Sequence, residues 1–453
     1  MDGLEVKTNV ASKQIMNELK NLKIEKLVYK GYGLGFNDSQ PVFVTCGLPE
    51  DILNVKTEFK KGKNLFASVK EIIKPSPFRR NADCEVFGTC GGCDWLNLEY
   101  SKQLHFKQQI IDEIFYNVPI KKKLPIIGSK KINYYRNKSF FPVASQTGKP
   151  VIGMFAKRSH EVIPHENCKL HPKLFDDVSK VFMEYVTASK IKIYDEKTGK
   201  GSLRHLGMRY SQKTDELIVV VVSKNRKVPF TNQLVRVLKE NFSNLVGVVL
   251  NINPNRTNVI LDDGEKILFG RDYIFEEVNG KKFKLNYKSF FQVNSEIAAE
   301  MYEFVKQQLV NSQNIVDAYC GVGSIGIYVK SVGQKLWGIE NNENAILDAE
   351  ENAKLNNIMD ANFICGNVEE ELEKIDHKID TVIFDPPRKG LERSIIEKLD
   401  DSIIKIVYIS CDPNTQKRDV KMILQKGFKV NLMQSFDMFP HTFHIENVMV
   451  LER

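Results

Sequence analysis

A chain of 453 residues exceeds one ordinary hydrophobic core, so two or three domains are expected. With 42% hydrophobic and 27% charged residues the composition is globular, and no apolar run approaches the roughly 20 residues that span a bilayer, which excludes a helical membrane protein. The polar start, residues 1–9, carries no signal-peptide core, so a cytoplasmic protein is expected; there, eight cysteines argue for metal binding or catalysis rather than disulfides. A net charge of +8 suits a polyanionic partner without identifying one, and nothing implies an obligate protein partner.

In chain order, residues 1–75 read as a small β-barrel of the kind that binds oligonucleotides, and equally as any other small β-domain. Strands are predicted at 24–29, 41–45, 52–59 and 65–73, with turns at Gly31-Tyr32-Gly33-Leu34-Gly35 and Gly47-Leu48-Pro49. Pro75-Ser76-Pro77 marks a break. Residues 76–288 read as a central α+β domain. It opens on a cysteine cluster and a helix over 101–118, a candidate to pack on the catalytic domain, and its clearest strands are 217–222 and 246–252. The stretch 121–138 interleaves Lys121, Lys122, Lys123, Lys130, Lys131, Arg136 and Lys138 with Tyr134 and Tyr135, and Phe140 and Phe141 follow. This pattern suits unpaired RNA, and equally a solvated charged face.

From residue 289 the rhythm becomes βαβα. A helix over 295–309, with Ser295 as its N-cap, precedes strands at 315–319, 336–340, 362–365, 381–385 and 403–410, with helices at 343–356 and 413–425 among them. This predicts a doubly wound, Rossmann-like parallel sheet over 289–453, closed by a hairpin of 429–436 and 448–451 as an antiparallel edge.

Three features converge on the carboxyl edge of that sheet, where open α/β folds bind ligands. Asp317-Ala318-Tyr319-Cys320-Gly321-Val322-Gly323 is a glycine-rich turn after a strand, read as an incomplete dinucleotide fingerprint with Ile325-Gly326 where the third glycine is sought. Glu340 ends the next strand, where a carboxylate can bind ribose hydroxyls; together these favour an adenosyl ligand and still admit a nicotinamide cofactor. Asn367, after the following strand, is as much a loop residue as an adenine contact. Asp385-Pro386-Pro387-Arg388 forms a stiff turn that aims Asp385 at the same edge. Cys411, in Ser410-Cys411-Asp412-Pro413, is a candidate nucleophile at a helix N-terminus, where the dipole favours thiolate, against the commoner fate of a buried structural cysteine. Downstream, Phe439-Pro440-His441-Thr442-Phe443-His444-Ile445-Glu446 sets Glu446 among aromatic rings as a candidate base, with His441 and His444 to position it or the substrate. Cys46, Cys320 and Cys365 are assigned structural roles.

Cys84, Cys90 and Cys93, with Gly88, Gly91 and Gly92 between and beside them, and Cys168 farther on, form a possible ligand set. By spacing alone zinc and a [4Fe–4S] cluster are equal candidates.

The segments Phe290-Phe291-Gln292-Val293-Asn294, DAYCGVG, DPPR, SCDP and PHTFHIE, in this order, closely resemble the S-adenosylmethionine-dependent RNA methyltransferases that modify carbon 5 of uracil. The first 170 residues resemble the branch of that family with an N-terminal TRAM domain and an iron–sulfur site. The resemblance implies three modules: a TRAM (OB-like) barrel, a central α+β domain with the iron–sulfur site, and a C-terminal Rossmann-like methyltransferase. It implies Cys411 as nucleophile on carbon 6 and Glu446 as proton acceptor. It assigns Gln292, Tyr319, Glu340 and Asp385 to S-adenosyl-L-methionine, with Asn367 as a further candidate, and Cys84, Cys90, Cys93 and Cys168 to a [4Fe–4S] cluster. Trp95 departs from the glutamine-rich sequence of many relatives. The implied substrate is a uridine of 23S ribosomal RNA, with the T-loop uridine of transfer RNA as the alternative. An RNA-binding assembly factor with an idle methyltransferase fold is a second reading, which the presence of both Cys411 and Glu446 disfavours. A DNA or small-molecule methyltransferase is a third, disfavoured by the barrel and the cysteines.

Overall fold

The computed structural model describes residues 17–453 and divides into two compact units. The first holds the chain up to Tyr116 with Met154–His165 and Phe439–His444; the second holds Asn117–Gly153, Glu166–Met438 and Ile445–Arg453. Among the described residues no helix is long and apolar enough to cross a membrane.

In the first unit, β1 (Glu18–Val28), β2 (Tyr32–Asn37), β3 (Gln40–Thr45), β4 (Ile52–Lys61) and β5 (Asn64–Lys74) close into a barrel in the order β1-β2-β3-β5-β4. Alternating residues fill it: Leu22, Ile24, Val42, Val44, Leu53, Val55, Leu65 and Ala67 form one apolar cluster. The stretch expected to turn at residues 31–35 is in fact mostly strand β2. Its glycines serve close backbone approach: a Cβ on Gly33 would lie 2.5 Å from the Gly47 carbonyl, and one on Gly35 2.4 Å from that of Lys23. The buried Asp51 carboxylate ties the barrel to the cysteine-bearing loop, accepting from the Leu48 and Ser76 amides at 2.7 Å each and pairing with Arg79. Helix α1 (Tyr100–Ile114), shorter than the sequence suggested, follows that loop.

In the second unit, β6 (Ile120–Lys123) precedes a sheet built on β7 (Lys138–Gln146), β8 (Lys149–Phe155), β10 (Leu203–Ser211), β11 (Glu216–Ser223), β12 (Leu245–Ile252) and β13 (Gly264–Gly270); β9 (Val162–Pro164) belongs to the first unit. The second-unit strands of this sheet run in the order β13-β12-β11-β10-β7-β8. Helices α2 (Lys173–Ser189) and α3 (Thr231–Asn241) pack together beside it, and the hairpin β14 (Tyr273–Val278) and β15 (Lys281–Asn286) follows.

The remaining elements alternate: α4 (Ser295–Gln308), β16 (Asn314–Ala318), α5 (Ser324–Val329), β17 (Lys335–Glu340), α6 (Glu343–Leu355), β18 (Ala361–Cys365), α7 (Val368–Glu371), β19 (Thr381–Phe384), α8 (Arg393–Glu397), β20 (Lys405–Ser410), α9 (Pro413–Gln425), β21 (Lys429–Phe436) and β22 (Glu446–Glu452). The N-cap of α4 is Asn294, whose side chain accepts from the Ile297 amide, and not Ser295. The sheet order is β18-β17-β16-β19-β20-β22-β21-β6. Strands β16 to β20 run parallel, as the alternation predicted, and β22 enters antiparallel between β20 and β21. The closing hairpin is therefore not the sheet edge: β6, from the lysine-rich stretch, pairs parallel with β21 outside it.

Candidate active site

Strand register lines up the candidate residues along one sheet edge. Ala318 pairs with Ile339 and with Phe384, so Tyr319, Glu340 and Asp385 follow on adjacent strand ends. Phe384 pairs with Tyr408, which brings the Asp385 turn beside the end of β20. Ser410 pairs antiparallel with Asn447, so Cys411, one residue beyond, stands across from Glu446. At the other end Glu340 pairs with Cys365, the Gly366 amide donates to the Glu340 carbonyl at 3.0 Å, and Asn367 follows, exposed.

The glycine loop is complete after all. Gly321, Gly323 and Gly326 have the fingerprint spacing, and a Cβ on Gly326 would meet Asp317 Oδ2 at 2.9 Å and Leu336 Cδ1 at 3.0 Å, the close helix–strand approach the third glycine permits. Tyr319 is held at φ 66°, a left-handed conformation that a bulky residue adopts only under constraint, at the point where β16 leaves the sheet. Glu340 is organised rather than merely solvated: it accepts from the Gly321 amide at 3.2 Å and the Asn342 amide at 3.1 Å.

The electrostatics at Cys411 oppose the thiolate expected from sequence. Burial, then the charges of Glu446 and Asp385, push the Cys411 thiol up from 9.0 to about 12; Arg388, hydrogen-bonded to the sulfur, pulls the other way. The helix N-terminus gives little help because Asp412, the N-cap of α9, accepts from the Asn414 and Thr415 amides and answers that end with its own charge. Burial raises Asp385 to about 7, and raises Glu446 well above the ordinary carboxylate range, with the Asp385 charge adding to it. Asp317 rises to about 7, chiefly by burial; one oxygen accepts from the Gly326 amide at 2.8 Å and the other has no partner. Such a cluster of desolvated acids is suited to receive a cation.

Gln292 is buried and its segment is clamped. Asn137 donates through Nδ2 to the Gln292 carbonyl at 2.9 Å and the Ser295 hydroxyl at 3.0 Å, and through its amide to the Val293 carbonyl at 2.9 Å. The Ser289 carbonyl accepts from both Lys138 and Arg209. Much of the basic–aromatic stretch is thus structural. Tyr135 and Phe141 are buried, and Lys138 donates to the Lys288 and Ser289 carbonyls, its ammonium pushed well down by burial. Sequence reasoning missed Arg388, although its DPPR motif was in view. It also missed Asn137 and Tyr302, a buried tyrosine of α4 whose hydroxyl lies in the field of Asp385, Asp317 and Glu446 and contacts Ser324 at 3.2 Å. The fingerprint glycine Gly326 was the one signal that could have been counted.

The other candidate residues belong to other segments of the chain. Cys84, Cys90 and Cys93 are half-buried in one loop of the first unit, and Cys168 is half-buried in the second. The Cys90 sulfur accepts from the Gly92 amide at 3.4 Å and the Cys168 sulfur from the Leu170 amide at 3.5 Å, an arrangement that suits thiolate ligands. His441 is buried within the first unit, its ring hydrogen-bonded to Gln103. Trp95 is also buried there and donates to the Gly31 carbonyl at 3.2 Å.

The model of the tRNA (Uracil-5-)-methyltransferase family matches residues 99–453. An uncharacterized RNA methyltransferase of Fusobacterium nucleatum is 35% identical over 447 residues, covering 97% of this chain and 96% of that protein. Another, of Caldanaerobacter subterraneus, is 34% identical over 445 residues, covering 96% and 99%. Among solved structures, the Pyrococcus abyssi tRNA (uracil-54, C5)-methyltransferase in complex with S-adenosyl-L-homocysteine superposes with a TM-score of 0.78 at 28% identity, covering 96% of this chain and all of that one. With a family model matched over most of its length, and with relatives aligned nearly end to end, this chain belongs to the tRNA (uracil-5-)-methyltransferase family of RNA methyltransferases.

Proposed function

We propose that this protein methylates carbon 5 of a uridine in structured RNA through a covalent adduct on Cys411. The observation that carries the reading is the antiparallel register of β20 and β22, which sets a thiol across from a buried carboxylate beside Asp385. The site fits S-adenosyl-L-methionine: a complete glycine fingerprint, Glu340 at the ribose position, and raised carboxyls at Asp385 and Asp317 that favour a nearby positive charge. That cofactor supplies an electrophilic methyl group on a sulfonium. Gln292, Tyr319, Glu340 and Asp385 would hold it, with Asn367 at the adenine end.

Carbon 5 of uracil is a weak nucleophile. The Cys411 thiol loses its proton to solvent, leaving Glu446 free for the later step, with Arg388 stabilising the sulfur anion, and the thiolate adds to carbon 6 to leave an enolate. Carbon 5 of that enolate would accept the methyl group that the cofactor, held by Gln292, Tyr319, Glu340 and Asp385, would supply from its sulfonium. Glu446, its basicity raised by burial, then removes the carbon 5 proton; the electrons form the carbon 5–carbon 6 double bond and expel Cys411. The target base must leave its stack to reach this edge.

The RNA reading is supported by the +8 charge and by the barrel, where Phe43, Phe59 and Phe66 stack and the Arg158 guanidinium lies 4.9 Å from the Phe59 ring. We favour 23S ribosomal RNA for the resemblance of the N-terminal modules. The alternative, the T-loop uridine of tRNA, is supported by the Pyrococcus relative, which is named for uracil-54 of tRNA. Cys84, Cys90, Cys93 and Cys168 would hold a [4Fe–4S] cluster, with a structural role.

Incubation with 5-fluorouridine RNA and cofactor tests the chemistry: a denaturation-resistant protein–RNA adduct is expected from the wild type and none from Cys411→Ala. Full turnover by the alanine variant would refute the nucleophile. Nucleoside mapping of both RNAs from cells with and without the protein decides the target.

A further inference from the structure

The segment that leads into Glu446 is gripped by two buried polar residues of α1, one turn apart. Gln103 is fully buried and its amide is saturated: Oε1 accepts from the His441 amide at 2.8 Å, and Nε2 donates to the Trp95 carbonyl at 3.0 Å and the Leu98 carbonyl at 2.9 Å, and meets His441 Nδ1 at 3.1 Å. Lys107, also fully buried, donates from its ammonium to the Phe439 carbonyl at 3.2 Å and the His444 carbonyl at 2.8 Å. The loop before α1 completes the grip: the Asp94 and Trp95 amides both donate to the His441 carbonyl, at 2.9 and 3.0 Å, and the Asp94 carboxylate accepts from the Phe443 amide at 3.3 Å. His441 is held at φ 68°, a conformation that needs such over-determination. A fully buried lysine spent on two carbonyls is costly unless the geometry it fixes matters.

Two residues beyond His444 the chain reaches Glu446, the first residue of β22. We propose that Gln103 and Lys107 are positioning residues for Glu446, fixing the backbone of residues 439–444 so that the carboxylate meets the carbon 5 proton. This rests on the role of Glu446 in uracil-5 methylation. The prediction is specific to one step. Addition of Cys411 and methyl transfer do not use Glu446, so they survive; proton removal and release of the RNA slow down.

The test compares Gln103→Met and Lys107→Met, which keep volume and remove the hydrogen-bonding groups, with wild type and Glu446→Gln on RNA carrying tritium at carbon 5 of uridine. Tritium release is expected to fall about 10- to 100-fold, while methylated protein–RNA adduct forms at close to the wild-type rate and accumulates, as in Glu446→Gln. Lys107→Gln, which keeps a neutral amide donor group without the charge, is expected to fall between. Unchanged release would overturn the proposal. So would a parallel loss of adduct formation and release with cofactor binding intact, because that marks a general structural role. Should the methionine variants not fold, Lys107→Gln is read by the same criterion. A wild type that incorporates no methyl group refutes the uracil-5 reading and this role with it, whereas wild-type turnover with unaltered variants refutes this role alone.

Discussion

In the ligand-free protein Cys411 is expected to be a poor nucleophile, and the amount can be worked out. Its thiol is pushed from 9.0 to about 12. At pH 8 that leaves about one thiol in 10⁴ ionised, against about one in ten for an ordinary cysteine, a ~1000-fold deficit. A more basic thiolate attacks disulfides faster, with a Brønsted slope of about 0.4–0.5, which returns a factor of roughly 20. A small disulfide reagent should therefore modify Cys411 about 50-fold more slowly than free cysteine at pH 8, and the rate should still be climbing at pH 10. Mass spectrometry of tryptic peptides reads this directly, with exposed Cys365 as the comparison thiol in the same molecule. Glu446→Gln should speed the reaction by removing an opposing charge, and Arg388→Met should slow it by removing the cation at the sulfur. A Cys411 that reacts as fast as free cysteine and levels off near pH 9, or that slows in Glu446→Gln, would refute this electrostatic account.

Glu446→Gln is expected to permit methyl transfer and stall proton removal, trapping RNA with ordinary uridine as an adduct visible on a denaturing gel; loss of both RNA and cofactor binding would instead mark a structural role. Asp385→Asn should stabilise the ligand-free protein while weakening cofactor binding. A carboxyl raised to about 7 makes the native state hold more protons than the unfolded one between about pH 4 and 7, so stability falls as pH rises through that window. The gain should be on the order of 4 kcal/mol at pH 8 and shrink towards pH 5, and equal melting shifts at both pH values would contradict it. Asn137→Ala orphans the buried Gln292 and Val293 region and should cost about 1–3 kcal/mol of stability, with a raised KM for the methyl donor in steady-state kinetics. Substitution of Cys90 should lower stability and RNA binding more than single-turnover chemistry. In anaerobically purified wild type, stoichiometric zinc without sulfide would exclude the iron–sulfur cluster.

The parallel strands β16 to β20 were legible because strand and helix periods alternate cleanly there, and the motifs fall at strand ends, where the fold puts chemistry. The barrel was legible as short strands, except that Gly33 and Gly35 disguised β2 as a turn: glycine serves close approach as well as chain reversal, and sequence does not say which. The place of β22 inside the sheet was hidden, and with it the sign of the effect on Cys411, since the burial that dominates the thiol, and the Glu446 charge that adds to it, follow from pairing register. Asn137, Gln103 and Lys107 left no signal because their partners lie 155 to 338 residues away in the chain.

Strand β6 has a consequence for how the molecule is made. Ile120 pairs with Val430, so this short segment leaves the ribosome about 300 residues before the strand it needs. At roughly 5–20 residues per second it waits on the order of 15–60 s with its backbone unpaired. A waiting strand is a template for wrong partners, whether another nascent chain or an earlier sheet. Lys121, Lys122 and Lys123, all exposed in the finished sheet, repel such partners until the right one is synthesised. The charge run that resembles a nucleic-acid patch is thus expected to guard the strand while the chain is being made. Replacing the three lysines with threonine should leave the folded enzyme's turnover intact and lower its soluble yield.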